Sequence, residues 1–156
     1  MRYIILTLTL LFSLSSFGQS VTNLNSEINI KIWIDNNSKD KIEGIWVFSS
    51  INPNTDEQSV YLKAAILRSG KQSSERESFQ EIMIECYGPF ADYCKKNNWD
   101  IGDFLASFEK VYNYGLYYSF GDNGEQNGVA VLEEDNLSID YQGLLVSAKR
   151  VYPLVK

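Results

Sequence analysis

The chain has 156 residues, with 14 Lys+Arg against 20 Asp+Glu and a formal charge of −6. Apolar residues at 44% and charged residues at 22% are globular proportions that exclude a wholly disordered chain, and the acidic balance argues against a nucleic-acid partner, whose phosphates require clustered Lys and Arg. There is no histidine, which removes Ser-His-Asp and Cys-His catalysis and every metal site that uses an imidazole.

Residues 1–18 open with Arg2 and an apolar run from Tyr3 to Phe12, broken only by Thr7 and Thr9, and close on Ser16-Phe17-Gly18. A basic start, a short apolar stretch and small side chains at −3 and −1 describe a secretory signal peptide cleaved after Gly18. The run is shorter than the about 20 residues a membrane helix needs. The expectation is an exported protein, periplasmic or extracellular, with no integral membrane segment after the leader is removed.

Residues 19–26 are polar and read as a flexible arm before a single domain over 27–156. Ile28, Ile30, Ile32 and Ile34 alternate with Asn29, Lys31 and Trp33, the period-2 signature of a strand. Asp35 to Lys41 reads as a polar turn. A second strand fits 42–51, with Gly44, Trp46 and Phe48 on one side and Ile45, Val47 and Ile51 on the other, stopped by Asn52-Pro53-Asn54. A third fits 59–68, and Ser69 to Ser78 reads as a mobile connection. A fourth, 79–87, places Ile82, Ile84 and Cys86 together.

Cys86 and Cys94 are the only cysteines, and Gly88-Pro89 between them is a turn signal. An oxidising compartment favours a bridge between them over two separate buried thiols. Their spacing and number fit neither a zinc site nor a Cys-x-x-Cys redox pair.

Residues 101–112 fit two periods. Ile101, Phe104, Leu105, Phe108, Val111 and Tyr112 lie at helical spacing between Asp100 and Gly115, while Phe104, Ala106 and Phe108 also share a side of a strand. Beyond them, 116–120, 129–132, 137–141 and 144–152 read as strands, the middle two flanking a Glu133-Glu134-Asp135-Asn136 hairpin. Short strands at regular spacing with apolar residues on both faces predict an all-β fold. The architecture expected is an antiparallel up-and-down meander curled into a barrel of about eight strands, with at most one short helix near 89–97.

Gly44-Ile45-Trp46 resembles the opening of a lipocalin. That resemblance implies a Trp lying across the base of a barrel with an Arg from the last strand packed over it, and Arg150 is placed for that role. The late Thr-Asp-Tyr-like turn of that family has only Ala91-Asp92-Tyr93 as a counterpart, too early in the chain. A broader likeness covers most of 43–153: Glu43-Gly44-Ile45-Trp46, Tyr61 with Ala64-Ala65-Ile66, Trp99-Asp100-Ile101-Gly102-Asp103 with Ala106 and Phe108, and Lys149-Arg150-Val151-Tyr152-Pro153. Together these segments resemble an uncharacterised bacterial secreted all-β domain that stands alone or accompanies trypsin-like proteases. The likeness implies a strand over 103–112 and leaves 89–97 as the short helix. It implies no activity and no catalytic residue.

The acidic groups Asp100/Asp103 and Glu133/Glu134/Asp135 could pair for acid–base work, but such clusters on loops are ordinarily solvated surface. Asp122 to Glu125 and Asp35-x-Asn37 lack the spacing of a calcium loop and read as turns. No catalytic residue, metal ligand or cofactor is therefore assigned. The aromatic supply is the remaining signal: inward rings with hydroxyl handles can line a pocket, or can fill a barrel of this size solidly. A pocket, if the barrel has one, would draw first on Trp46, Phe48, Tyr61, Phe108 and Tyr118. The expected function is noncatalytic: binding of a small lipophilic or aromatic ligand, or else an accessory surface acting on another exported protein such as a protease.

Overall fold

The structure, a computed structural model, describes residues 24–51, 58–71, 76–111, 115–121 and 123–153. The leader expected over 1–18 and all but the end of the arm over 19–26 lie outside these residues.

Eight strands follow one another around a closed barrel: β1 (Gly44–Ile51), β2 (Gln58–Lys71), β3 (Glu77–Cys86), β4 (Phe104–Lys110), β5 (Leu116–Phe120), β6 (Gln126–Glu133), β7 (Asn136–Tyr141) and β8 (Leu144–Tyr152). Each pairs antiparallel with the next, and β8 closes on β1 through pairs such as Trp46 with Arg150 and Phe48 with Ala148. The expected all-antiparallel meander is therefore the fold, and closure removes the free sheet edges that an open ribbon would expose. The ambiguous stretch is resolved as β4. Ala106 pairs with Glu81, and Phe108 pairs with both Phe79 and Ser119, so this segment supplies the hydrogen bonds that join β3 to β5.

The strand expected over 28–34 is instead part of a helix, α1 (Glu27–Asn37). The side chain of Ser26 accepts from Asn29 N–H at 3.2 Å, capping the first turn. Glu27 pairs with Lys31 one turn on at 2.8 Å. Ile30 and Ile34 are buried, packed with Ile45, Ala65, Leu67, Ile82 and Ile84 on the outer face of β1–β3, whereas Ile28 and Ile32 are 71% and 55% exposed. The expectation of at most one helix is corrected accordingly: a second, α2 (Gly88–Lys96), occupies the predicted place after β3. The polar break also starts later than expected, since Asp35 to Asn37 form the last turn of α1 and Ser38 is its extended cap. The connection expected over 69–78 is shorter than predicted, because β2 runs to Lys71 and β3 begins at Glu77.

Two apolar layers result. One lies between α1 and the barrel wall. The other fills the barrel with Trp46, Phe48, Leu62, Ile66, Phe79, Phe108, Tyr117, Leu137, Ile139 and their neighbours. Cys86 belongs to the interior layer and not with Ile82 and Ile84, because the register of β2 on β3 shifts between Lys63 and Ala64. A β-bulge of this kind turns a residue to the opposite face. The bridge between Cys86 and Cys94, with Cα atoms 6.7 Å apart, ties the end of β3 to α2.

Candidate functional site

The two ends of the barrel differ. At one end the loop from Ser38 to Glu43 is drawn in by buried polar contacts. Glu43, fully buried, accepts from the backbone N–H of Lys39 and Asp40 at 2.8 and 2.7 Å. Asp40 accepts from the Lys110 ammonium at 2.5 Å, the Tyr117 hydroxyl at 2.8 Å and Ile42 N–H at 3.1 Å. Burial pushes the Asp40 carboxyl upward, but these three donors outweigh it and hold it below the usual carboxylate range.

Trp46 lies inside this loop and donates its indole N–H to the Ile42 carbonyl at 2.9 Å. The Arg150 guanidinium sits 4.4 Å above the Trp46 ring and donates to the carbonyls of Glu43 and Lys41. Its Nε also lies 2.9 Å from Asp135 as an ion pair without hydrogen-bond alignment. Gly44 is what permits the approach: a Cβ there would fall 2.6 Å from the Tyr152 carbonyl and 3.0 Å from the Arg150 guanidinium. The Gly-x-Trp and late Arg of the sequence thus build a seal across this end. A hollow of about 500 Å³ beside it is lined by Lys39, Asp40, Lys110 and Tyr117, of which the last three satisfy one another.

The opposite end is apolar. A cavity of about 570 Å³ is lined by Ser50, Ser59, Val60, Tyr61, Pro89, Phe90, Tyr93, Tyr141, Leu144 and Val146. Local sequence explains its walls. Between Phe48 and Ser49 the register on β2 skips Tyr61, and this bulge leaves Tyr61 free to line the mouth. Gly88, at φ +55°, and Pro89 open α2 and set Phe90 edge-on to Tyr61, with ring centroids 5.4 Å apart. Phe90 also stacks on Tyr93 at 5.5 Å, and both rings meet Trp99 edge-on. On the far wall Tyr141 lies against Gly128, where a Cβ would come 3.1 Å from its ring. Burial, aided by the charge of Glu81, raises the hydroxyls of Tyr61 and Tyr141, so both are neutral donors at neutral pH.

Beneath these two tyrosines lies Glu81. It shares the inward side of β3 with Phe79 and Met83, pairs with Ile66 and Ala106, and is 3% exposed. It has no hydrogen bond or ion pair to another described residue. Desolvation alone pushes its carboxyl up to about 8.

Of the five residues expected to line a pocket, Tyr61 does so. Trp46 belongs to the seal, and Phe48 and Phe108 are fully buried in the packed interior. Tyr118 faces outward, with the Arg76 guanidinium 5.7 Å over its ring; its neighbour Tyr117 takes the inward position, edge-on to Phe79 at 5.9 Å. Sequence reasoning missed Phe90, Tyr93, Tyr141 and Glu81. The signal available for Glu81 was a carboxylate between Phe79 and Met83 at strand spacing. Among the described residues no group of three Cys, Asp or Glu side chains gathers as a metal site, and no helix is long and apolar enough to cross a membrane. No family model, curated protein or solved structure matches this chain.

Proposed function

We propose that the chain is a noncatalytic, exported binding protein that holds a small apolar or aromatic molecule in the mouth formed by Tyr61, Phe90, Tyr93, Tyr141, Leu144 and Val146. The observation that carries this reading is the asymmetry of the barrel. One end is sealed by Arg150 over Trp46, while the other presents a largely apolar concavity with a few phenolic groups, the usual character of a small-molecule site. Titration with N-phenyl-1-naphthylamine, a neutral dye that brightens in apolar surroundings, tests it. A saturable rise with one site per chain is expected, and Leu144→Arg, at a half-exposed wall position, abolishes it. A non-saturating signal, or one that Leu144→Arg leaves intact, rejects the mouth as the site.

A second reading, an accessory surface for another exported protein, draws on Ile28 and Ile32, which stand one turn apart on the outward side of α1. On that reading, Ile28→Ser with Ile32→Ser abolishes binding to the partner and leaves dye binding unchanged.

A further inference from the structure

We infer that the ligand carries a basic nitrogen and that Glu81 receives it: the mouth is built for a small aryl- or alkylamine whose ammonium enters the barrel. The inference deepens the reading of the mouth as a binding site and rests on it. A carboxyl closed inside a barrel without a cationic partner costs folding energy, and an apolar side chain at this position would avoid that cost. Glu81 is in that condition, 3% exposed and bonded to no described residue. Glu81 is not part of the cavity wall itself, but Tyr61 and Tyr141, which are, lie within electrostatic reach of its carboxyl, and the proposed route for the ammonium passes between them. Ala106 stands beside Glu81 on β4 and Ala64 lies diagonally across on β2, two short side chains among the larger Ile66, Phe79 and Met83.

Among the described residues, the charged and titratable groups near Glu81 supply no cation to it, which leaves that part to the ligand. From β2 and β7 the facing groups are the Tyr61 and Tyr141 hydroxyls, both neutral. Arg68, farther along the same face of β2, is held by Glu77 at 2.7 Å and Glu43 at 3.6 Å. Lys110, at the end of β4, is held by Asp40. An ammonium beside a tyrosine ring is also attracted by the electron-rich face of that ring, whereas a carboxylate ligand would leave Glu81 protonated and gain no ion pair. At neutral pH Glu81 is mainly protonated in the free protein. Binding therefore joins an ammonium to a carboxylate and passes the carboxyl proton to solvent; apart from that O–H bond no covalent bond changes.

Isothermal titration calorimetry at pH 7 with 1-naphthylmethylamine, 1-methylnaphthalene and 1-naphthoate separates the alternatives. The amine should bind at least about tenfold more tightly than the hydrocarbon, as a charge-assisted hydrogen bond implies, and the carboxylate more weakly than either. Amine binding should also release nearly one proton, read as a heat that changes with the ionisation enthalpy of the buffer, while hydrocarbon binding releases none. In Glu81→Gln the hydrocarbon should bind as before and the amine preference should fall to within about twofold. Equal affinities for amine and hydrocarbon in the native chain overturn the inference and leave the mouth intact, as does binding of the amine without proton release, a result that needs no variant. A preference that survives in Glu81→Gln overturns it as well. Binding of none of the three rejects the mouth itself, and the inference with it.

Discussion

Replacing Glu81 with Gln removes a titratable proton from the barrel interior while changing shape very little. In the unfolded chain the carboxyl titrates near its ordinary 4.5, and in the folded chain burial moves it to about 8. A folded value above the unfolded one means that the carboxyl imposes no penalty below about pH 4.5. The penalty then grows as pH rises and is complete once pH passes through the folded value. With 1.36 kcal/mol per unit, it amounts to about 3 kcal/mol at pH 7 and levels off at between about 4 and 5 kcal/mol above pH 9. Gln carries no such penalty. Urea unfolding of both chains at pH 4.5, 6, 7 and 8 should therefore show near-equal stability at pH 4.5 and a growing advantage for Glu81→Gln thereafter. Other carboxylates titrate in both proteins and cancel in the difference. A stability difference that stays flat across this range, or a Gln variant less stable at pH 8 than the native chain, would refute the placement of Glu81 as a buried, unpaired acid.

Three further outcomes follow from the packing. Ile30→Ala, which empties space between α1 and the barrel wall, should cost about 3 kcal/mol in chemical denaturation, whereas Ile28→Ala, on the exposed side of the same helix, should cost under about 0.5 kcal/mol; equal costs would restore the strand reading of this segment. Arg150→Met strips donors from the buried carbonyls of Glu43 and Lys41 and the cation from above Trp46, a loss of about 3 kcal/mol, measured by urea midpoint; a loss below about 1 kcal/mol would show that the seal is incidental. Cys86→Ser with Cys94→Ser should lower stability by about 2.5 kcal/mol under non-reducing conditions, as loop entropy for so short a closure gives, and the double variant should be insensitive to dithiothreitol.

Most of the barrel was legible because period-2 alternation and turn residues act locally. Gly44 to Ile51 and Leu144 to Tyr152 declare their strands in this way, and Gly-x-Trp with Arg150 foreshadowed the sealed end. The isoleucine series failed for a physical reason. Residues i and i+4 share a face both in a strand and in a helix, so Ile30 and Ile34 satisfy either, and only the Ser26 cap and the Glu27–Lys31 pair distinguish them. Tyr118 failed differently: β5 is aromatic on both sides, and apolarity alone does not say which side faces in. Cys86 depends on a bulge, which arises from the pairing of two strands and leaves no mark in either one. Apart from Tyr61, the mouth was illegible for the same kind of reason. Phe90, Tyr141 and Glu81 come from α2, β7 and β3, and only closure of the barrel brings them together.

The most direct test of a barrel sealed at one end and receptive at the other is a map of ¹H–¹⁵N shift changes as 1-methylnaphthalene is titrated into isotope-labelled protein. The amides of Ser59 to Tyr61, Phe90 to Tyr93, Tyr141 and Leu144 to Val146 should move together and saturate, while those of Ile42 to Trp46 and Arg150 stay in place. Saturating shifts concentrated around Trp46 and Arg150, or around Ile28 and Ile32 on the outer side of α1, would contradict the account.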